Sequence, residues 1–384
     1  MQDYLEIMEP AFMSQIHIGH RLRSLREQKG LKQKEVAEAL GLSDHQPVSQ
    51  IELGKRKVTA QELVRASQYF DVSLEWLTNP FILTSKNSFS WRQNNVTDEN
   101  LNSFEEVAGE WIGAFRELNK INKTPLKQIL PRLSLTYNSS LNDAVTAGEQ
   151  VSEELNLGER PALSLSDALE NRLGILVLMI DTVQGISGAA CALQDLNAIL
   201  INRKERPARR NTDLAHEFYH ILTWMEMRPE RKEAACHSQE SPSTHKAKRN
   251  QKIERLADNF SAGLLMPQKT LNLLGKPHGN LTKWLIEGAD YLGVSALSLK
   301  WRLVNSKVCP ELKRISSEDI RENRAHENNP ELPPLFSKKF LETIDLAIQH
   351  GHISIGKAAK LLNFPVDELG DLFEIHSINH PGRV

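Results

Sequence analysis

Apolar residues recur at three- and four-residue spacing through five short stretches between 17 and 78: "HIGHRLRSLREQKG", "KQKEVAEALG", "HQPVSQIELG", "TAQELVRASQYF" and "SLEWLTN". That period predicts five compact helices. Gly30, Gly41 and Gly54 stand where a helix should stop, because glycine takes the left-handed cap conformation at little cost. From 79 to 160 the pattern stays mostly amphipathic and helical, broken by polar turns such as "YNSSLND", and reads as a connector. Between 172 and 202 the texture turns to β. There "ILVLMID" and "AILIN" flank "GISGAACAL", whose glycines bound a short strand expected at an exposed sheet edge. Helical spacing resumes at 211–227 and 251–266, around a polar, basic stretch expected to be an exposed loop, 228–250. Past Pro267 the chain is helical again, "RENRAHENNPELPP" is a linker by composition, and a small helical unit spans 336–376. The expectation is a mainly α protein with a small β-sheet (α+β). Its four expected parts are a five-helix domain at 17–78, a helical connector at 79–160, an α+β domain at 161–275 and a helical C-terminal region at 276–384.

A length of 384 residues suits two or three such units. Lys and Arg number 47 against 49 for Asp and Glu, so any basic surface is local. Cys191, Cys236 and Cys309 are far apart, without a C-x-x-C pair, which argues against a disulfide framework and against a thiolate zinc site. The longest apolar run, "LGILVLMI", is too short to span a membrane, and "MQDYLEIMEP" lacks the features of a signal peptide. A cytoplasmic protein with no membrane contact is expected. Trp91, Trp111, Trp284 and Trp301 read as core residues, and "NRKERPARR" as a solvated loop.

The segment "TDLAHEFYHIL" carries H-E-x-x-H. On a helix four residues advance about 400°, so His216 and His220 share a face and can reach one ion. Glu217 lies about a quarter-turn away, placed to take a proton from water that the metal acidifies. Two histidines do not suffice, because catalytic zinc normally has three protein ligands and one open position. The next helix pattern, "IERLADNFSAGLLMP", carries Glu254 and, one turn on, Asp258. Glu254 would complete a His-His-Glu set, and Asp258 would accept the N–H of the first histidine and fix its ring.

These two segments, with "RRNT", "GISG" and strand-ending Asn202, resemble the ImmA/IrrE metallopeptidases over about 165–270. The resemblance implies a zincin-like metallopeptidase domain. His216, His220 and Glu254 then become Zn2+ ligands and Glu217 the general base. It implies amide hydrolysis, with "GISGAAC" pairing with an extended substrate peptide. The basic loop after Met227 looks like an insertion relative to that family. Tyr219, His237 and His245 are candidates to stabilise the oxyanion, although each reads first as an ordinary surface or helix residue.

The first domain resembles the Xre-type helix-turn-helix regulators across about 60 residues, in the order of all five helices. Val36, Ala37, Leu40, Val48 and Ile51 would pack the second helix on the third, leaving a polar face for the major groove. Residues 17–60 hold nine Lys or Arg against five acids. Gln33, Lys55 and Arg56 match positions where that family touches the DNA backbone, while Gln46, Ser49 and Gln50 are placed to reach base edges. One extra residue between Gly41 and Ser49, with Pro47, puts the start of the recognition helix near 44–46.

Together the two resemblances imply a DNA-binding regulator that cleaves a repressor or partner protein, binds an operator and works as a homodimer. Stress-response or mobile-element genes are the expected targets. The alternative is a non-proteolytic repressor or antitoxin whose metallopeptidase-like domain is a sensor or protein-interaction module. The C-terminal stretch 344–373 has a second helix-turn-helix shape, expected to dock or dimerise rather than read DNA.

Overall fold

The computed structural model describes residues 17–83, 88–124, 126–233, 244–322 and 331–378. In chain order the first elements are α1 (17–28), α2 (Gln33–Leu40), α3 (Gln46–Glu52), α4 (Ala60–Phe70) and α5 (Leu74–Thr78). They are followed by β1 (Phe89–Gln93), α6 (Asp98–Ile121), α7 (Leu141–Glu154) and α8 (Pro161–Asp167), which runs into a π-helical turn, Ala168–Arg172. The central strands are β2 (Leu176–Ile180), β3 (Ile186–Ala192) and β4 (Asn197–Asn202), followed by α9 (Pro207–Thr223) and α10 (His245–Leu265). Then come α11 (Gln268–Leu273), α12 (Leu281–Leu292), α13 (Ala296–Asn305), α14 (Ser317–Glu322), α15 (Lys338–Gln349), α16 (Ile355–Leu362) and α17 (Leu369–Ile375). The molecule is mainly α with one four-stranded sheet. Among the described residues no helix is long and apolar enough to cross a membrane.

The chain forms two compact units. One gathers the N-terminal residues to Lys86 with Glu106–Thr124 and Leu346–Asn363; the other holds Asn87–Glu105, Pro125–Asp345 and the residues from Phe364 onward. The stretch 79–160 is thus divided between both, and it contributes a strand, β1, where the helical spacing had suggested none.

In the N-terminal unit, Val36, Ala37, Leu40, Val48 and Ile51 are buried with Ile18, Leu22, Phe70 and Leu77. α1 crosses α3 so closely at Gly19 that a Cβ there would lie 2.0 Å from the Ile51 carbonyl oxygen. The buried guanidinium of Arg21 donates to the carbonyls of Trp76 (2.5 Å), Asn79 (2.5 Å) and Ile82 (2.8 Å), satisfying the acceptors that the end of α5 leaves open. The remote segments pack on these helices. His17 pairs with Glu117 at 3.0 Å, and the indole of Trp111 donates to the Leu361 carbonyl at 3.0 Å.

In the second unit the strand order is β1-β3-β4-β2, with β1/β3 and β3/β4 antiparallel and β2/β4 parallel. β3 therefore has a partner on each side. The expected free edge at "GISGAAC" is not there, because β1 arrives from about a hundred residues upstream to cover it. α9 packs on β3 and β4 and is covered in turn by α10, so its residues from Asp213 to Ile221 are all buried. α10 also packs along α7 through glycines on both helices.

Several expectations need adjustment. α9 begins at Pro207, since proline at a helix's first turn is pre-organised for it, so part of "NRKERPARR" is helical. α10 begins at His245, with the Thr244 hydroxyl accepting from the Ala247 amide at 3.1 Å, so the end of the expected loop 228–250 is helix. Residues 231–233 of that loop are ordered against β1. Trp91, Trp111 and Trp284 are core residues, whereas Trp301 is 44% exposed on α13, with the Lys300 ammonium over its ring.

Candidate metal centre and nucleic-acid face

α9 brings His216 and His220 one turn apart, and the Nε2 atoms converge to 3.0 Å. α10 delivers Glu254, whose Oε2 lies 3.1 Å from His216 Nε2 and 3.7 Å from His220 Nε2. One turn along α10, Asp258 Oδ1 lies 3.0 Å from His216 Nδ1, so the ring is held with its other nitrogen turned toward Glu254. Both rings are fully buried.

A fourth residue joins them. Glu233 places Oε2 3.5 Å from His216 Nε2 and Oε1 3.7 Å from His220 Nε2, and one ligand atom from each of His216, His220, Glu233 and Glu254 falls within 4.8 Å of all the others. Sequence reading missed Glu233 because it sits in a polar stretch without periodicity. The only local signal is an acid within a basic run.

Arg92 from β1 was also missed. Its Nε lies 3.1 Å from Asp213 Oδ1, and its Nη2 lies 3.6 Å from Asp258 Oδ1. The β1/β3 register shifts between Arg92 and Gln93, an irregularity of the kind that re-aims a side chain beside a site. β3 passes Glu217 at Gly188, where a Cβ would stand 3.6 Å from Glu217 Cγ.

Three observations fit this cluster to a divalent cation. The donor set, two imidazole nitrogens with carboxylate oxygens, suits zinc and neighbouring first-row ions. Both carboxylate oxygens of Glu217 and Glu233 Oε2 are buried without a hydrogen-bond partner among the described residues, a costly condition unless positive charge stands among them. The field points the same way. Burial and Arg92 push the His216 pKa down, yet the neighbouring carboxylates of Asp258, Glu233 and Glu254 outweigh them and hold it well above the ordinary value. Burial followed by the Glu233 charge raises the Glu217 carboxyl well above its usual range. Glu254 moves the other way, because His220 and His216 overcome the effect of burial.

Of the oxyanion candidates, Tyr219 is buried against Phe260, and His245 lines a basic cavity of about 610 Å³ with Tyr137, Lys246, Lys248, Arg249 and Lys252. His237 lies outside the described residues.

On the N-terminal unit, Gln46, Gln50 and Lys55 are exposed and Ser49 is half-buried. Gln33 and Arg56 are engaged within the unit. Gln33 Nε2 donates to Glu52 at 2.9 Å, and Arg56 forks onto Glu62 at 2.7 and 3.1 Å. Arg21 is buried, Arg23 pairs with Glu27, and Arg26 grips the buried Glu52. The exposed cations flanking the recognition helix are therefore mainly lysines, Lys32, Lys34, Lys55 and Lys57.

Residues 22–77 match the Helix-turn-helix family model. Residues 170–304 match that of the IrrE N-terminal-like domain, peptidase family M78. No curated protein matches the chain. The match takes in all four clustered residues, while Arg92 lies upstream of it. Two stretches of this chain thus match, in the order its motifs imply, a helix-turn-helix model and an IrrE-like peptidase model.

Proposed function

We propose that the protein is a DNA-binding transcriptional regulator whose second unit is a zinc-dependent endopeptidase acting on a repressor or partner protein. The observation that carries this reading is the meeting of His216, His220 and Glu254 beside Glu217, whose buried carboxylate has no protein partner. His216, His220 and Glu254 would hold the ion. When bound, Zn2+ would supply Lewis acidity, polarising a peptide carbonyl and acidifying water. The chain's own contribution is positional. Asp258 fixes the His216 tautomer, and Arg92 ties Asp258 to Asp213. Glu217, buried next to His216 with no hydrogen-bond partner among the described residues, would accept a proton from water and return it to a leaving amine. We propose further that a homodimer presents two α3 helices to an operator, with Gln46, Ser49 and Gln50 toward base edges and Lys55 toward phosphate.

The test pairs metal content with cleavage. Glu217→Gln should keep zinc and DNA affinity while losing hydrolysis of proteins encoded beside the gene. Hydrolysis that survives in this variant overturns the peptidase reading. A second reading, a repressor or antitoxin with a non-hydrolytic metal domain, is favoured by one observation: Glu233 brings a fourth possible ligand to the cluster. Unchanged regulation by Glu217→Gln would select it.

A further inference from the structure

β1 is the outer strand of the sheet, yet its outward edge is not bare. The Trp91 amide donates to the Arg231 carbonyl at 2.8 Å, and the Glu233 amide donates to the Trp91 carbonyl at 3.0 Å, so Lys232 pairs with Trp91 in parallel. Residues 231–233 form a short strap on the strand. Side-chain contacts hold it on both sides. The Ser90 hydroxyl donates to the Glu230 carbonyl (2.7 Å) and approaches Glu233 Oε1 (3.2 Å), Arg231 pairs with Glu105 (3.0 Å), and Lys232 pairs with Asp98 (2.7 Å).

The strap directs the Glu233 side chain inward, where it is 6% exposed among Glu217, Glu254, His216 and His220. Burying another carboxylate beside two existing ones is strongly unfavourable unless the new oxygen gains a cation. Its Oε2 lies 3.5 Å from His216 Nε2 and its Oε1 3.7 Å from His220 Nε2, close to the 3.1 and 3.7 Å that Glu254 Oε2 makes to the same pair. Zinc sites with four protein ligands are closed, whereas hydrolytic sites keep one position for water or substrate.

We propose that Glu233 is a fourth protein ligand to the ion held by His216, His220 and Glu254. The resting centre is then coordinatively closed, and the 231–233 strap must leave before a peptide carbonyl can reach it. This rests on the metal-centre reading above and adds a regulated step to it. It also assigns Ser90, Arg231 and Lys232 as groups that hold the ligand in place rather than groups that touch substrate.

Cobalt(II) and azide test the idea on the full-length protein. Metal-free protein is titrated with Co2+, and its visible absorption is read with and without azide. The wild-type spectrum should be indifferent to azide. In Glu233→Gln, azide should alter the spectrum, and Co2+ affinity should fall by about tenfold or more. The glutamine keeps the hydrogen-bonding shape of the strap. A wild-type spectrum that responds to azide overturns the proposal whether or not the variant folds. So does a Glu233→Gln protein with wild-type affinity and no azide response. Failure of the underlying reading looks different: Co2+ would then bind wild type and His216→Ala alike.

Discussion

Gly263 on α10 rests against the main chain of Val145 on α7, so close that a Cβ at Gly263 would stand 2.1 Å from the Val145 carbonyl oxygen. Gly148 makes the reciprocal approach, its absent Cβ falling 2.2 Å from the Phe260 carbonyl oxygen. Because both obstacles are backbone, Gly263→Ala must push the helices apart. α10 carries Glu254 and Asp258, so the displacement reaches the metal centre. Gly263→Ala should destabilise the second unit by about 1–3 kcal/mol and lower zinc affinity with it. Denaturant melts and chelator competition measure the two effects.

Asp258 orients His216 without being one of the four clustered residues. Its removal in Asp258→Ala should weaken zinc binding by about 10- to 100-fold, while Asp258→Asn, which still offers an acceptor oxygen, should recover most of it. Competition against a zinc-chelating dye gives both constants. Equal affinities for wild type and Asp258→Ala would count against the positioning role.

Glu117 predicts a pH dependence in the N-terminal unit. Burial opposes its ionisation, yet His17, Lys120 and Arg116 bring its pKa from 4.5 down to about 2. A folded pKa below the unfolded one stabilises the native state above about pH 4.5, and that contribution fades as pH falls toward 2. Glu117→Gln should cost about 2 kcal/mol at pH 6 once solvent screening is allowed for. The gap from wild type should close in acid. Thermal melts at pH 6 and pH 3 compare the two proteins.

Arg56 and Lys55 are sequence neighbours with different expected effects on DNA. The Arg56 guanidinium is occupied by Glu62, whereas Lys55 is exposed. Lys55→Ala should reduce the slope of log K against log salt by about 1, and Arg56→Ala should leave the slope nearly unchanged while lowering stability. Gln50→Ala should weaken operator binding by about 1–3 kcal/mol with little change for unrelated DNA. Fluorescence anisotropy over a salt series resolves the three.

What the sequence made legible follows from the range of each interaction. His216, Glu217 and His220 share one helical turn, as do Glu254 and Asp258, so spacing alone exposes them. The core of the first five helices is readable for the same reason, since Val36, Ala37 and Leu40 repeat at helical intervals. Arg92 and Glu233 become visible only when Trp91 pairs with Lys232, about 140 residues away. No local period reports such a pairing. The alternation in "FSWRQ" was a strand signal too short to stand out from its helical surroundings. β3 was read as an edge because its glycines weaken a strand locally, but whether an edge is free depends on a remote partner.

The two histidines are not equivalent. Asp258 anchors the far nitrogen of His216, while the corresponding nitrogen of His220 is buried with no acceptor among the described residues. In the metal-centre reading proposed above, His216 has a second hydrogen-bonded anchor and His220 has none among the described residues. Exchange kinetics should therefore answer to substitutions lining that ring more than equilibrium affinity does.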